Sequence, residues 1–249
     1  MHKTIRTLRD HGAIFYVSHS AGKDSQAMTL LLERIIPAAQ LVYVHADLGE
    51  VEHTGVQAHI NSTIRGDLNV VSAVWKDGSS KTLLGMVERR GMWPSSAHRQ
   101  CTSDLKRGPI QKFIRADMKA RGATLAVNCM GLRAGESAAR SKLDPVKTNK
   151  TLSKAGRTVL DWLPIHDWSA AMVFASIARA GQQPHWAYAT GNERLSCVFC
   201  IMGSTNDLKN GAEQRPELAK RYIELERQIG HTFKNRQSIE SIIATDGAQ

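Results

Sequence analysis

Ile14-Phe15-Tyr16-Val17 is a short apolar run that passes through Ser18-His19-Ser20-Ala21-Gly22-Lys23-Asp24-Ser25 into Gln26-Ala27-Met28-Thr29-Leu30-Leu31-Leu32. The first run reads as a buried strand and the last as a helix, with a turn of small, polar and flexible residues between them. Leu41-Val42-Tyr43-Val44-His45-Ala46 repeats the strand pattern. Two strands separated by one helix make a βαβ unit, which commits the chain to a parallel sheet and an α/β fold. Such sheets bind ligands beyond the carboxyl ends of their strands. Both the polar turn and the cluster Asp47-Leu48-Gly49-Glu50 fall there.

The turn has the chemistry of an anion site. Amides at a helix start lack intrahelical partners, the helix dipole is positive there, and Gly22 lets the main chain approach a phosphate closely. Lys23 adds charge, Ser20 and Ser25 add hydroxyl donors, and Asp24 can position a metal-bound or protonated group. Gly-x-x-x-x-Gly-Lys-Ser/Thr spacing is absent, so this is not a Walker loop. The plainer alternative is a helix cap by Ser20 or Ser25. Asp47 and Glu50 can reach a ribose hydroxyl or a cation, or simply form a turn.

Further along, His53 to Ile64 reads as helical, Val70 to Val74 as a third strand and Leu83 to Arg90 as a helix. Gly91 to Thr102 is irregular, part of an expected exposed loop carrying Arg99, Cys101 and Lys106 ahead of a basic helix from Ile110 to Arg121. Leu125 to Met130 is another short apolar strand, followed by Gly131-Leu132-Arg133-Ala134-Gly135-Glu136-Ser137. Arg133 and Arg140 suit a phosphate or sulfate clamp, because guanidinium groups bind such anions in bidentate fashion. Against this, Glu136 and Arg140 have the spacing of a surface i,i+4 ion pair. Ser141 to Gly156 is polar and rich in Lys and Thr, which predicts a flexible basic loop. Order returns at Val159 to Ile165, followed by a helix from Ala170 to Ala180 with Ser169 as its cap and Gly181 closing it in a left-handed conformation. Arg215 to Ile229 reads as a charged amphipathic helix.

A chain of 249 residues, 42% hydrophobic, can bury a full core without disulfides. Its 33 Lys and Arg against 23 Asp and Glu give a net charge of +10, which favours polyanionic partners such as nucleotides or nucleic acid. The first ten residues lack the apolar centre of a signal peptide, and no apolar run is long enough for a membrane span. The expectation is a cytoplasmic protein without membrane contact. Four cysteines are too few for a disulfide scaffold, and Cys197-x-x-Cys200 places two sulfurs close enough to share a metal, a cluster or a redox disulfide. Cys101 and His98 are the further ligands available for a Cys3His zinc site. Alternatively Cys101, Cys197 and Cys200 hold a [4Fe–4S] cluster, and sulfur donors alone do not choose between the metals. Cys129 lies in an apolar strand and reads as a small core residue.

Several motifs then agree in order as well as type. Ser20-x-Gly22-x-Asp24-Ser25 resembles the PP-loop of the adenine-nucleotide α-hydrolases. Asp47-Leu48-Gly49-Glu50, Arg99-x-Cys101-Thr102-x-x-Leu105-Lys106 with Pro109, Gly131-x-Arg133-Ala134-x-Glu136-Ser137-x-x-Arg140, Pro164-Ile165-x-Asp167-Trp168 and Cys197-x-x-Cys200 follow. Together they resemble the phosphoadenosine phosphosulfate (PAPS) reductase family. The resemblance implies a Rossmann-like parallel sheet with helices on both faces over residues 1–204, and a small helical extension over 205–249.

It also implies an adenine nucleotide held by Ser20, Ala21, Gly22, Lys23, Asp24, Ser25, Asp47, Gly131, Arg133 and Arg140, with catalytic roles for Lys23, Asp24 and Arg133. The nucleotide is ATP with Mg²⁺, or PAPS or adenylylsulfate. No cysteine follows Cys200, whereas thioredoxin-dependent members carry a catalytic one in a Glu-Cys-Gly-x-His segment. The Arg-x-Cys-Thr-x-x-Leu-Lys pattern is more similar to the branch of DNA phosphorothioation enzymes and their phage relatives. That branch implies cleavage of ATP to AMP and pyrophosphate, an iron–sulfur cluster, nucleic acid as acceptor and a sulfur donor such as a cysteine desulfurase. A reductase releasing sulfite and a binding module without turnover are the alternatives, and the oligomeric state stays open.

Overall fold

The computed structural model describes residues 1–244. Its elements are α1 (Lys3–Asp10), β1 (Ile14–Ser18), α2 (Lys23–Ile35), β2 (Leu41–Ala46), α3 (Val56–Thr63), β3 (Leu68–Val71), α4 (Leu83–Arg90), α5 (Gly108–Ala120), β4 (Leu125–Cys129), α6 (Ala138–Ser141), β5 (Val146–Thr148), β6 (Thr158–Trp162), α7 (Ala170–Arg179), α8 (Thr205–Gln214), α9 (Pro216–Ile229) and α10 (Ile239–Ala244). They divide into two compact units that interleave along the chain. The first comprises Met1–Ala46, Gly55–Val71 and Ile110–His185, the second Asp47–Thr54, Ser72–Pro109 and Trp186 onward. The C-terminal helices expected as an extension thus share a unit with segments from the first half of the sequence.

The first unit is a six-stranded sheet in the order β3-β2-β1-β4-β6-β5, parallel except for β5. Alternation along β1 explains why both faces are covered. Phe15 and Val17 pack with Ala27, Met28 and Leu32 of α2 and with Val173 and Ile177 of α7. Ile14 and Tyr16 point to the opposite face, against Ile114 and Met118 of α5. Side chains of a strand project alternately, so one apolar run serves two helical layers. The Tyr16 hydroxyl, buried in the second layer, donates to Asp117 at 2.8 Å.

Several local expectations need correction. The third strand is Leu68–Val71 rather than Val70–Val74, because Leu68 to Val71 pair with Tyr43 to Ala46 and the chain then leaves the sheet. Cys101 to Arg107 forms one wide π-helical segment running into α5, not an exposed loop. Lys81 ties it down through an ion pair with Asp104 at 2.7 Å. The stretch 141–156 is ordered rather than flexible. Its β5 pairs antiparallel with β6, and Asp161 accepts hydrogen bonds from Asn149 and Asn128 at 2.9 and 2.8 Å. Asn149 in turn caps the following turn at the Thr151 and Leu152 amides. The Ser169 cap on Met172 N–H and the left-handed Gly181 (φ +70°) are as the sequence predicts.

The second unit has its own core. Leu83, Leu84 and Val87 of α4, Leu105, Val198, Phe199 and Leu208 pack with Leu218, Tyr222 and Leu225 of α9 and with Phe233 and Ile239. Arg215 fastens Asp47–Thr54 into it, donating to the Glu52 and Glu50 carbonyls at 3.0 and 3.1 Å. Among the described residues no helix is long and apolar enough to cross a membrane.

Candidate functional site

In the first unit β1 ends at Ser18 and α2 starts at Lys23, so Ser20–Ser25 occupies the strand-to-helix turn at the carboxyl edge of the sheet. Neither serine caps the helix. Gly22 is the N-cap, and the Ser25 hydroxyl donates back to the Gly22 carbonyl at 2.8 Å while accepting from Ser20 N–H at 3.1 Å. The loop is thereby cross-linked to itself. Ala21 adopts a left-handed conformation, φ +60°, which costs a non-glycine residue about 1–2 kcal/mol. His19, only 2% exposed, supports that conformation by accepting the Ala21 N–H on Nδ1 at 3.1 Å. Burial first, then neighbouring His59 and His45, pushes its pKa down to about 3, so the ring is neutral and its proton sits on Nε2.

The amides of Lys23, Asp24 and Ser25 precede the first intrahelical bond, from Gln26 N–H to the Gly22 carbonyl. Gly131, just beyond β4, lies directly against them. A Cβ there would be 3.0 Å from the carbonyl carbon and oxygen of Asp24 and from the Ser25 nitrogen, so only glycine lets the two main chains run this close. Arg133 is 7% exposed and its Nε meets Asp24 Oδ1 at 2.5 Å, with Nη1 donating to the Trp168 carbonyl at 3.3 Å. Lys23 Nζ stands 3.6 Å from the other Asp24 oxygen. The result is a helix terminus flanked by two cations and one carboxylate. Arg140 instead pairs with Glu136, the i,i+4 arrangement that competes with a clamp.

Asp47 belongs to the second unit, where it accepts the Gly49 N–H at 2.8 Å in a turn. The same unit contains the three candidate metal ligands. Cys101 opens the π-helical segment, and Cys197 pairs across an isolated bridge with Glu52. Val198 and Phe199, 2% and 1% exposed, anchor the turn between Cys197 and Cys200 in the core. A Cβ on Gly211 of α8 would come within 2.8 Å of Val198 Cγ1 and 3.0 Å of its carbonyl oxygen, so this helix packs tightly on the turn. Burial raises the Cys101 thiol, Cys200 raises it further, and Lys106 opposes both. For Cys197 burial dominates, Lys106 opposes it and both other cysteines add to it, leaving a pKa of about 12. His98 is exposed, and Cys129 is buried in the core of the first unit.

The phosphoadenosine phosphosulfate reductase domain family matches residues 14–202, from the start of β1 to just beyond Cys200. The chain belongs to that family. The mostly parallel, Rossmann-like sheet agrees with that membership. An uncharacterised protein of Methanocaldococcus jannaschii is 24% identical over 86% of this chain and 48% of its own length, so the chain spans about half of that relative. Among solved structures, a phosphoadenylyl-sulfate reductase from Candida auris in a phosphate complex is similar at a TM-score of 0.49 and 13% identity, over 74% of this chain and 80% of that one. A Candida glabrata FMN adenylyltransferase with FMN and an ATP analogue is similar at 0.46 and 15%, over 75% and 54%.

One residue that supports the loop escaped the sequence reading: His19 sits directly before it and could have been flagged by adjacency alone.

Proposed function

We propose that this PAPS reductase family chain cleaves ATP to AMP and pyrophosphate in order to activate an acceptor for sulfur incorporation. The observation that supports it most is the construction of the loop: main-chain amides at the start of α2, backed by Gly131 and flanked by Lys23 and Arg133. In this reading the amides of Gly22 to Ser25, with Ser20, Lys23 and Ser25, bind the pyrophosphate portion of ATP, while the Ala21 amide, expected among them, is already donated to His19. An acceptor oxygen forms the new bond to the α-phosphorus. The bond from that phosphorus to its bridging oxygen breaks, and pyrophosphate leaves with the electron pair; a sulfur nucleophile from the donor then bonds to the acceptor centre, the bond from that centre to the adenylylated oxygen breaks, and AMP leaves with that oxygen and the electron pair. Lys23 and Arg133 offset the charge that builds on the leaving group, with Asp24 orienting both. Asp24 or Asp47 contributes a carboxylate to the Mg²⁺ that accompanies the nucleotide. Arg140 adds to anion binding once released from Glu136.

The donor set of the second unit fits a soft metal group. Cys101, Cys197 and Cys200 act on one another electrostatically, and burial holds Cys101 and Cys197 as neutral thiols until a cation compensates them. These three would hold a [4Fe–4S] cluster, which supplies iron sites and sulfide for binding or relaying sulfur. The net charge of +10 suits nucleic acid as the acceptor, with a sulfur donor such as a cysteine desulfurase as partner.

Anaerobic incubation of cluster-loaded protein with radiolabelled ATP and candidate acceptors tests the reading. AMP without sulfite is the expected result. Sulfite from PAPS with thioredoxin, and no AMP, would replace it with a reductase; tight ATP binding with neither product would replace it with a binding module. Stoichiometric zinc and no iron would overturn the cluster.

A further inference from the structure

Tyr222 lies in the middle of α9, in the same core that packs against Cys101 and Cys197, and its side chain is among the largest that are fully buried. Its ring is fixed from two sides. Trp93 stacks on it at 5.0 Å between centroids, with planes 15° apart, and Phe199, inside the Cys197-x-x-Cys200 turn, tilts against it at 4.9 Å. The ring therefore has a full set of apolar contacts, yet its hydroxyl finds no hydrogen-bond partner among the described residues. A buried hydroxyl left unpaired costs about 1–3 kcal/mol, and such groups are uncommon in folded proteins. Phenylalanine would give the same packing without that penalty. Phe199, which touches the ring, lies between Cys197 and Cys200 in sequence, and Cys101 and Cys197 pack against the same cluster of buried side chains, so the orphaned hydroxyl shares its core with the candidate ligands.

We propose that the Tyr222 hydroxyl donates a hydrogen bond to a sulfur of the group held by Cys101, Cys197 and Cys200, and so positions and tunes it. The inference rests on the metal-binding reading of these cysteines and deepens it. A phenol O–H is a donor, thiolate and sulfide sulfurs are acceptors, and a charge-assisted bond in a water-poor site is stronger than a neutral one. A donor to a cluster sulfur stabilises the more negative, reduced state, which raises the reduction potential.

The test compares wild type with Tyr222→Phe, each loaded anaerobically with Fe²⁺ and sulfide. Loss of the visible charge-transfer band in excess chelator should be roughly fivefold faster in the variant, the effect of one such bond. Its reduction potential should move to a more negative value, and the metal-free variant should melt at the same temperature or higher, because an unpaired group has been removed. Equal loss rates and equal potentials with full iron loading would overturn the Tyr222 role and leave the cluster standing. A metal-free variant that melts lower would reassign the hydroxyl to packing. Failure of wild type to retain iron and sulfide would overturn the cluster, and the Tyr222 role with it.

Discussion

The two units build their sites in opposite ways. In the first, a strand-to-helix turn presents main-chain amides, with Gly131 behind it and the side chains of Lys23 and Arg133 beside it. In the second, the candidate ligands are side chains from a π-helical segment and from a turn far along the chain. A backbone site survives many side-chain changes but not a change of main-chain path. A side-chain site has the reverse sensitivity. Each nevertheless depends on one glycine that admits a close neighbour, Gly131 behind the loop and Gly211 behind the Cys-x-x-Cys turn.

Cys197→Ser should abolish iron and sulfide retention while ATP binding, followed by calorimetry, stays at the wild-type value; parallel loss of both would erase the distinction. Arg133→Gln leaves Asp24 without its closest cation and should lower ATP cleavage by on the order of a hundredfold, with metal content unchanged. Gly131→Ala forces the loop off its path, and overpacking of about 1–3 kcal/mol should weaken nucleotide binding roughly tenfold or more. Gly211→Ala should leave nucleotide affinity alone and speed metal loss in chelator, with denaturant stability lower by about 1 kcal/mol after the gain in helix propensity.

The pH dependence of stability probes the loop without touching either candidate ligand set. His19 titrates near 6.5 when unfolded and at about 3 when folded, so below pH 6.5 the unfolded chain binds a proton that the folded one refuses. Stability should therefore fall as pH drops from about 6.5 toward 3, by roughly a kcal/mol per pH unit. His53 and His59, also lowered by burial, add to the same slope. Replacing His19 by Asn should flatten this slope in pH-dependent denaturant melts.

Residues whose neighbours are close in sequence were the legible ones. Val17 through Leu32 announces strand, turn and helix by pattern alone, and Ser169 and Gly181 mark their helix ends by local chemistry. The edge strand Val146–Thr148 was not legible, since it carries one apolar residue and owes its place to Asp161 and Asn149. The π-helical turn at Cys101–Arg107 likewise depends on Lys81 holding Asp104 across more than twenty residues. Arg133 was identified as a cation for anion binding, but its grip on Asp24 pairs residues far apart in the chain and no spacing encodes it. Tyr222 was invisible because an orphaned hydroxyl is a property of packing.

The interleaving of the two units also sets an order of events during synthesis. Every strand and helix of the first unit precedes His185 in the chain, so that unit can close while the remainder is still being made. The segments Asp47–Thr54 and Ser72–Pro109, including Cys101, must wait for Trp186 onward before their apolar residues find partners. A chain that has emerged only as far as His185 would thus carry a closed first unit alongside two sticky, unburied stretches. The second unit is the later to close.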